Sequence, residues 1–253
     1  MTRLWVLSDL HVDVVPDLDL CAHPDADVII MAGDLSDGDF DPTPWLLSEF
    51  SDDERSRMVY VPGNHDAYAI GLEAIPDRLR RLRDATGVTT LDREVLEIDG
   101  RRVVGCTMWS PLSAALDTAG GDMSAIPDFS GDAWRAAHDR DREWLGETVL
   151  EGDIVVTHHA PSWSGLDVRM QQNPRLMSLA SGYFADMTDL IEQRAPEIWI
   201  HGHTHVTREY RVGDARIVSN AAGRGRALHF QAGYVVELDD VANLHSVGNG
   251  AKW

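Results

Sequence analysis

Five short apolar runs, each passing directly into residues that can bind a metal, constrain the fold of this chain more than any other feature. Continuous aliphatic and β-branched runs of this length are typical of strands buried on both faces. In open α/β sheets ligands collect beyond the carboxyl ends of the strands, so the polar residues should meet at one edge. The five transitions are Leu4–Leu7 into Ser8-Asp9-Leu10-His11, Val28–Met31 into Ala32-Gly33-Asp34, Met58–Val61 into Pro62-Gly63-Asn64-His65-Asp66, Ile154–Val156 into Thr157-His158-His159, and Ile198–Ile200 into His201-Gly202-His203-Thr204-His205.

Predicted strands alternate with predicted helices along the whole chain, with no low-complexity linker between them. We therefore predict one domain over residues 1–253, an α/β fold with a mixed sheet system and helices outside it. Asp132 is the expected N-cap of the longest helix. Strands are predicted near 3–7, 27–31, 58–61, 102–107, 153–157 and 197–200, then at Val206–Val212, Ala215–Ser219 and Gly233–Leu238, and helices near 44–50, 71–85, 132–149 and 185–194. A tight turn at Gly213-Asp214 should join two of the last strands.

The charge balance limits the partners of this chain. It has 42 acidic and 22 basic side chains, a formal net charge of -20. This disfavours long nucleic acids, whose binding draws on clustered Lys and Arg. It does not exclude a small phosphorylated substrate, because two bound divalent cations would reverse the local potential.

Neither a membrane span nor a secretory signal is visible in the sequence. No apolar stretch approaches the roughly 20 residues that a span requires, and the start at Met1 passes directly into the first strand. We therefore expect a cytoplasmic protein without membrane partners. Of the two cysteines, Cys21 and Cys106, the latter lies in an apolar run and is expected to be a buried thiol.

The residues after the apolar runs offer nitrogen and oxygen ligands without any thiolate. Asp9 and His11 are two residues apart, so on an extended segment their side chains point to the same side, and His203 and His205 share that spacing. The two oxygens of Asp34 can bridge two metals. With the amide oxygen of Asn64 and the imidazole of His158 added, the set suits Mn, Fe, Zn, Co or Ni rather than a structural Cys-type zinc site.

The motif order DxH, GD, GNHD, H and GHxH resembles that of the calcineurin-like metallophosphoesterase family. The resemblance runs from Ser8 to about Gly225 and extends to four further segments, Thr107–Ser110, Asp141–Leu145, Val156–Pro161 and Trp199–His203. These segments look like those of a small, bacterial-type branch of the family rather than those of the protein phosphatases. The GDxxDRG signature of the protein phosphatases is absent, since Asp34 is followed by Leu35-Ser36-Asp37-Gly38.

The resemblance implies an αββα sandwich with two divalent metals at the carboxyl ends of the strands, Mn being favoured for activity. The first metal would be held by Asp9, His11, Asp34 and His205, and the second by Asp34, Asn64, His158 and His203. A hydroxide bridging the metals would attack phosphorus in line.

The residues of the GNHD motif also receive roles in substrate binding and catalysis from this resemblance. Asn64 would lie against the substrate as well as the metal. His65 would contact the phosphate and protonate the leaving oxygen. Asp66 is then a candidate to orient His65 through a hydrogen bond.

Other residues near the motifs have two open interpretations. His159 either supports the site or contacts the substrate, or it simply packs, whereas His201 is favoured as structural because Gly202 can turn the chain after it. Arg224 or Arg226 can contact phosphate or face solvent, in a turn that departs from the Asn-Pro-x-Gly-Tyr of relatives. Trp109 and the loop 112–132 can either form a wall of the pocket or belong to the core. A surface or packing role is expected of the remaining histidines, His23, His138, His229 and His245.

We therefore expect a dinuclear metal-dependent phosphoesterase that hydrolyses a small phosphomonoester or phosphodiester. A nuclease or a cyclic nucleotide phosphodiesterase would use the same site. The alternative outside enzymes is a protein-binding scaffold on this fold, but such relatives usually lose ligands, and none is missing here. The loops that select the leaving group carry no mechanistic signature, and the oligomeric state is not encoded in any recognisable pattern.

Overall fold

A computed structural model describes residues 1–20, 23–98, 100–113, 116, 121–173, 176, 179–224 and 229–239. Three residues discussed above, Cys21, Arg226 and His245, lie outside these ranges, as does part of the loop 112–132. None of the helices in the described ranges is long and apolar enough to cross a bilayer.

Two mixed sheets make up the centre of the described chain. The first has the strand order β11-β1-β2-β3-β4, and the second has the order β5-β6-β7-β8-β10-β9. The strands are β1 (Thr2–Leu7), β2 (Val28–Ala32), β3 (Met58–Val61), β4 (Thr89–Thr90), β5 (Glu94–Ile98), β6 (Arg101–Cys106), β7 (Ile154–Thr157), β8 (Ile198–His201), β9 (Arg208–Val212), β10 (Ala215–Ser219) and β11 (Val235–Leu238).

The inner strands are parallel, which brings their carboxyl ends to a common edge. β1 pairs in parallel with β2, and β2 with β3; β7 pairs in parallel with β6 and β8. Leu7 is level with Met31, and Met31 is level with Tyr60. The polar residues that follow these strands therefore begin at the same height in the sheet.

Side chains on both faces of these strands are buried, which accounts for their unbroken apolar sequence. On β1, Leu4 and Val6 pack between the two sheets, whereas Trp5 and Leu7 pack under helices on the outer face. Trp199 on β8 is likewise covered on the outside of the second sheet. The result is the predicted αββα sandwich.

Helices cover both outer faces. They are α1 (Thr43–Glu49), α2 (Asp52–Ser56), α3 (Ile75–Thr86), α4 (Gly121–Ala125), α5 (Gly131–Thr148), α6 (Val168–Gln172) and α7 (Thr188–Arg194). The prediction that Asp132 caps α5 is wrong. Ser130 is the N-cap, and its Oγ accepts a hydrogen bond from the backbone N–H of Ala133 at 3.1 Å. Asp132 lies in the first turn, where its negative charge interacts favourably with the positive end of the helix dipole.

The strand Glu94–Ile98 was not predicted from the sequence. It is an edge strand whose side chains are all exposed or half-buried, and it pairs antiparallel with β6. Such a strand carries a weak apolar pattern because neither face is fully covered. The predicted buried thiol, Cys106, is completely buried at the end of β6, and burial raises its pKa well above the usual range.

Candidate metal centre

The predicted ligands meet at the carboxyl edge in two groups. Asp9, His11 and His205 form one group, in which the potential ligand atoms lie within 4.8 Å of one another. Asp34, His158 and His203 form the other at the same spacing, and Asn64 Oδ1 lies 3.0 Å from His158 Nε2. We call the first group the Asp9 half and the second, with Asn64, the His158 half.

Five of these ligands have a left-handed backbone conformation, which residues other than glycine seldom adopt. They are Asp9 (φ 54°), His11 (φ 44°), Asp34 (φ 55°), His203 (φ 64°) and His205 (φ 51°). The sequence argument that extended alternation aligns the two pairs is therefore wrong in its mechanism. Tight turns after the strands aim these side chains inward, and backbone strain of this kind concentrates at functional sites.

Two glycines of the motifs are required by the close approach of ligands. A Cβ on Gly63 would lie 2.1 Å from Asp34 Oδ1. A Cβ on Gly202 would lie 2.5 Å from Asp9 Oδ2 and even closer to the hydroxyl of Ser8. Any side chain at either position would displace a predicted ligand.

In the Asp9 half, the carboxylate of Asp9 is held firmly. It accepts hydrogen bonds from the hydroxyl of Ser8 and from the backbone N–H of His203, and Asp9 Oδ1 lies 3.2 Å from His205 Nε2. Burial opposes its ionised form, but the hydrogen bond and charge of His205 hold its pKa well below the usual range.

His11 is different, because it is completely buried and, within the described chain, neither ring nitrogen has a hydrogen-bond partner. Burial is the main cause that lowers its pKa to about 4, although Asp34 and Asp9 oppose this. An unpaired polar group in such surroundings is costly. A neutral imidazole surrounded by carboxylates is a good ligand for a divalent cation, so these residues fit a metal.

In the His158 half, protein groups orient the ligands. His158 Nδ1 lies 2.8 Å from the carbonyl of Ala32, to which it can donate, leaving Nε2 for a metal. His203 Nε2 lies 3.1 Å from the carbonyl of Gly182, which leaves Nδ1. Burial lowers the pKa of His158, but the charge of Asp34 outweighs it and raises the value to about 9. A cation bound here takes the place of that proton.

Asp34 lies between the two halves. Its Oδ2 is 3.2 Å from His158 Nε2 and 3.8 Å from His11 Nε2. Its Oδ1 accepts a hydrogen bond from the backbone N–H of His65 at 3.0 Å. Burial opposes its ionisation, but the charge of His158, followed by that of His65, holds its pKa well below the usual range.

The prediction that Asp66 orients His65 is wrong. The Asp66 carboxylate faces away and accepts hydrogen bonds from the hydroxyl of Tyr60, the N–H of Gly63 and Nε of Arg78. Asp66 therefore holds the loop in shape. Tyr60 could not be predicted as the partner of Asp66, because a tyrosine within an apolar strand does not indicate which group its hydroxyl bonds.

Asp37 occupies the place expected for Asp66. Its Oδ1 lies 2.6 Å from His65 Nδ1, and Arg224 Nη2 lies 3.0 Å from the same nitrogen. Burial lowers the pKa of His65, but the charges of Asp34 and Asp37 outweigh it and raise the value. The position of Asp37, three residues after Asp34 in the GDLSD segment, was the signal that could have identified it.

One interpretation above placed His159 in contact with the substrate, but His159 does not line the pocket. It is completely buried behind His203, with the ring centroids 4.1 Å apart. Trp109 packs on it with a centroid distance of 5.5 Å and is 3% exposed, so Trp109 is a core residue. His201 is buried in β8, in agreement with a structural role.

A pocket of about 410 Å³ opens directly onto both halves. One side is formed by predicted ligands and His65, and the other by α4, α5 and two loop segments. Its lining residues are Asp34, Asn64, His65, Tyr68, Leu112, Leu116, Gly121, Asp122, Trp134, Leu179, Gly182, Tyr183, His203 and His205. A small molecule in this pocket would touch the predicted ligands of both halves.

Comparison with known proteins agrees with this geometry. The family model described as calcineurin-like phosphoesterase matches residues 2–207. No curated protein matches the chain. The phosphopantetheinyl hydrolase of Mycobacterium tuberculosis has a similar fold at a TM-score of 0.69, with 18% identity over 94% of this chain and 96% of that one. A second solved structure has a TM-score of 0.55, with 14% identity over 87% of this chain and 90% of that one.

Proposed function

The chain belongs to the calcineurin-like phosphoesterase family, and we propose that it hydrolyses a small phosphate ester at a dinuclear metal centre. The substrate is a phosphomonoester or a phosphodiester that enters the pocket of about 410 Å³. Long nucleic acids are not its substrates, since the net charge of -20 opposes their approach.

The position of Asp34 is the observation that carries this proposal. One of its oxygens lies 3.2 Å from His158 Nε2 and 3.8 Å from His11 Nε2, so one carboxylate faces both halves. The unpaired nitrogens of His11 in the described chain provide independent support, because a cation would give this buried ring a partner. The first metal is assigned to Asp9, His11, Asp34 and His205, and the second to Asp34, Asn64, His158 and His203.

Side chains of this protein position the substrate and donate a proton to its leaving group. His65 lines the pocket, and Asp37 holds its Nδ1, which leaves Nε2 to protonate the leaving oxygen. Arg224, close to His65, adds a positive charge for the phosphoryl oxygens. When bound, two divalent cations lower the pKa of a coordinated water and offset negative charge on the phosphoryl group.

The test is reconstitution of metal-stripped protein with Mn²⁺, Fe²⁺, Zn²⁺, Co²⁺ or Ni²⁺, followed by hydrolysis of 4-nitrophenyl phosphate and its bis-ester. We expect about two ions per chain and the highest turnover with Mn²⁺. The two esters decide between monoester and diester preference. Because the neighbour of highest TM-score above is a phosphopantetheinyl hydrolase, a 4′-phosphopantetheine ester belongs in the same assay.

Asp39→Asn provides a matched control for Asp37→Asn, because both change a carboxylate in the loop after β2, but Asp39 is exposed and only Asp37 contacts His65. Asp37→Asn should lower turnover of folded protein without lowering metal content. Absence of hydrolysis in a protein that binds two ions per chain would overturn the proposal.

A further inference from the structure

The side of the pocket opposite the metal ligands is largely apolar. Its described members come from the loop after β6, from α5 and from the segment between β7 and β8. They are Leu112, Leu116, Trp134, Leu179 and Tyr183. Leu179 and Tyr183 remain 39% and 37% exposed, although they are large apolar side chains. An accessible apolar wall beside a polar centre is the usual form of a site that binds an organic group.

Asp122 is an acidic group beside the apolar residues of this wall. Its Oδ1 accepts hydrogen bonds from Asn64 Nδ2 and from the hydroxyl of Tyr68, both at 2.6 Å. Its charge also reaches Tyr183, whose pKa is raised by burial and then by Asp122. The Asp122 carboxylate therefore places negative charge beside the apolar surface.

The described residues of the same wall carry no positive charge. Among the lining residues that the structure describes, none is a lysine or an arginine. Arg224 lies at His65 and Asp37, beside the phosphoryl position rather than along the apolar wall. A second anionic group on the substrate would lose hydration there and face Asp122, with no Lys or Arg among the described wall residues to compensate it.

We infer that the pocket selects phosphate esters whose organic group is uncharged and mainly apolar, and that it rejects esters bearing a second anionic group. This rests on the phosphoesterase activity proposed above and names the substrate class of the same site. The phosphoryl group lies on the metal side, and the organic group lies along Leu112, Leu179 and Tyr183. Asp122 is the residue that determines the charge preference.

The experiment compares matched esters on the metal-loaded full-length protein. Methyl, hexyl and 5-carboxypentyl phosphates are assayed together with their 4-nitrophenyl diesters, in whichever series is hydrolysed. We expect kcat/KM to rise from methyl to hexyl by at least about tenfold, since each buried methylene contributes about fourfold. The 5-carboxypentyl ester should fall at least about tenfold below the hexyl ester.

Two variants assign the preference to the wall. Asp122→Asn keeps the Oδ1 acceptor but removes the charge, and Leu179→Lys adds a cation at a site exposed enough to tolerate it. Each should raise the ratio of carboxypentyl to hexyl kcat/KM by about fivefold or more. Leu150→Lys is the matched control: Leu150 is 45% exposed and precedes β7, at the opposite edge of the sheet, so its ratio should not change.

The outcomes separate the two proposals. Equal kcat/KM for hexyl and carboxypentyl esters, or a ratio unchanged in both Asp122→Asn and Leu179→Lys, overturns the substrate preference and leaves the phosphoesterase intact. No hydrolysis of any ester by protein that holds two ions per chain overturns both. Because each variant is judged on a ratio of two substrates, a general loss of activity does not imitate the expected result.

Discussion

The Asp9 half and the His158 half of the metal centre differ in how the protein prepares their ligands. In the His158 half, carbonyls of Ala32 and Gly182 face the second nitrogens of His158 and His203. In the Asp9 half, His11 lacks such a partner within the described chain. Outer contacts of this kind orient metal ligands and increase affinity. One half is therefore preorganised, while the other would gain part of its order from a bound metal.

Asp34→Asn tests what the two halves share, and it should have the largest effect. The asparagine has the same shape as Asp34 but lacks the negative charge that faces both His11 and His158. We expect kcat to fall by more than about 100-fold, because losing a ligand exceeds the effect of losing an outer contact. Metal content and steady-state hydrolysis measure this, and near-normal activity with two bound ions would contradict the shared role.

Graded chelation should separate the two ions. The ion of the His158 half should resist chelator at about 10- to 100-fold higher concentration than the ion of the Asp9 half. His11→Ala should abolish the weaker site and spare the tighter one, whereas His158→Ala should abolish the tighter one. Metal analysis after dialysis gives the answer. Loss of both ions at the same chelator concentration would contradict a difference in preorganisation between the two halves.

Asp37→Asn tests the group beside the Asp9 half. The His65 ring lies against His11, with centroids 4.7 Å apart, and Asp37 holds its Nδ1. Loss of this charge-assisted bond should lower kcat by about tenfold and leave KM nearly unchanged. Because the variant removes a negative charge that raises the pKa of His65, the basic limb of the kcat profile should move to lower pH. An unchanged profile would argue against His65 as the acid.

His11→Leu should have the smallest effect of the series when the readout is the stability of the metal-free protein. In metal-free protein it replaces a buried ring whose nitrogens have no partner in the described chain, so the free energy of unfolding should increase by about 1 kcal/mol. His158→Leu should decrease it, because the hydrogen bond to Ala32 is lost. Urea unfolding in the presence of a chelator measures both. A destabilised His11→Leu protein would show that the two halves are equally prepared.

Much of the fold could be predicted from the sequence because buried parallel strands have unbroken apolar runs. The edge strand Glu94–Ile98 was missed since its side chains are only partly covered. The helix cap moved from Asp132 to Ser130 because several residues near a helix start can accept the same hydrogen bond. Positions of single caps and edge strands depend on the surrounding packing, which the local pattern does not contain.

The residue order by itself determined which side chains meet at the candidate metal centre, because the ends of neighbouring parallel strands bring the residues that follow them to one sheet edge. Only the tertiary structure decided that Asp37 rather than Asp66 holds His65, and that His159 lies behind His203. It also placed Asp122 and Leu179, distant in sequence, on one pocket wall. Such contacts depend on side-chain direction and on loops from separate parts of the chain, and neither is encoded in motif spacing.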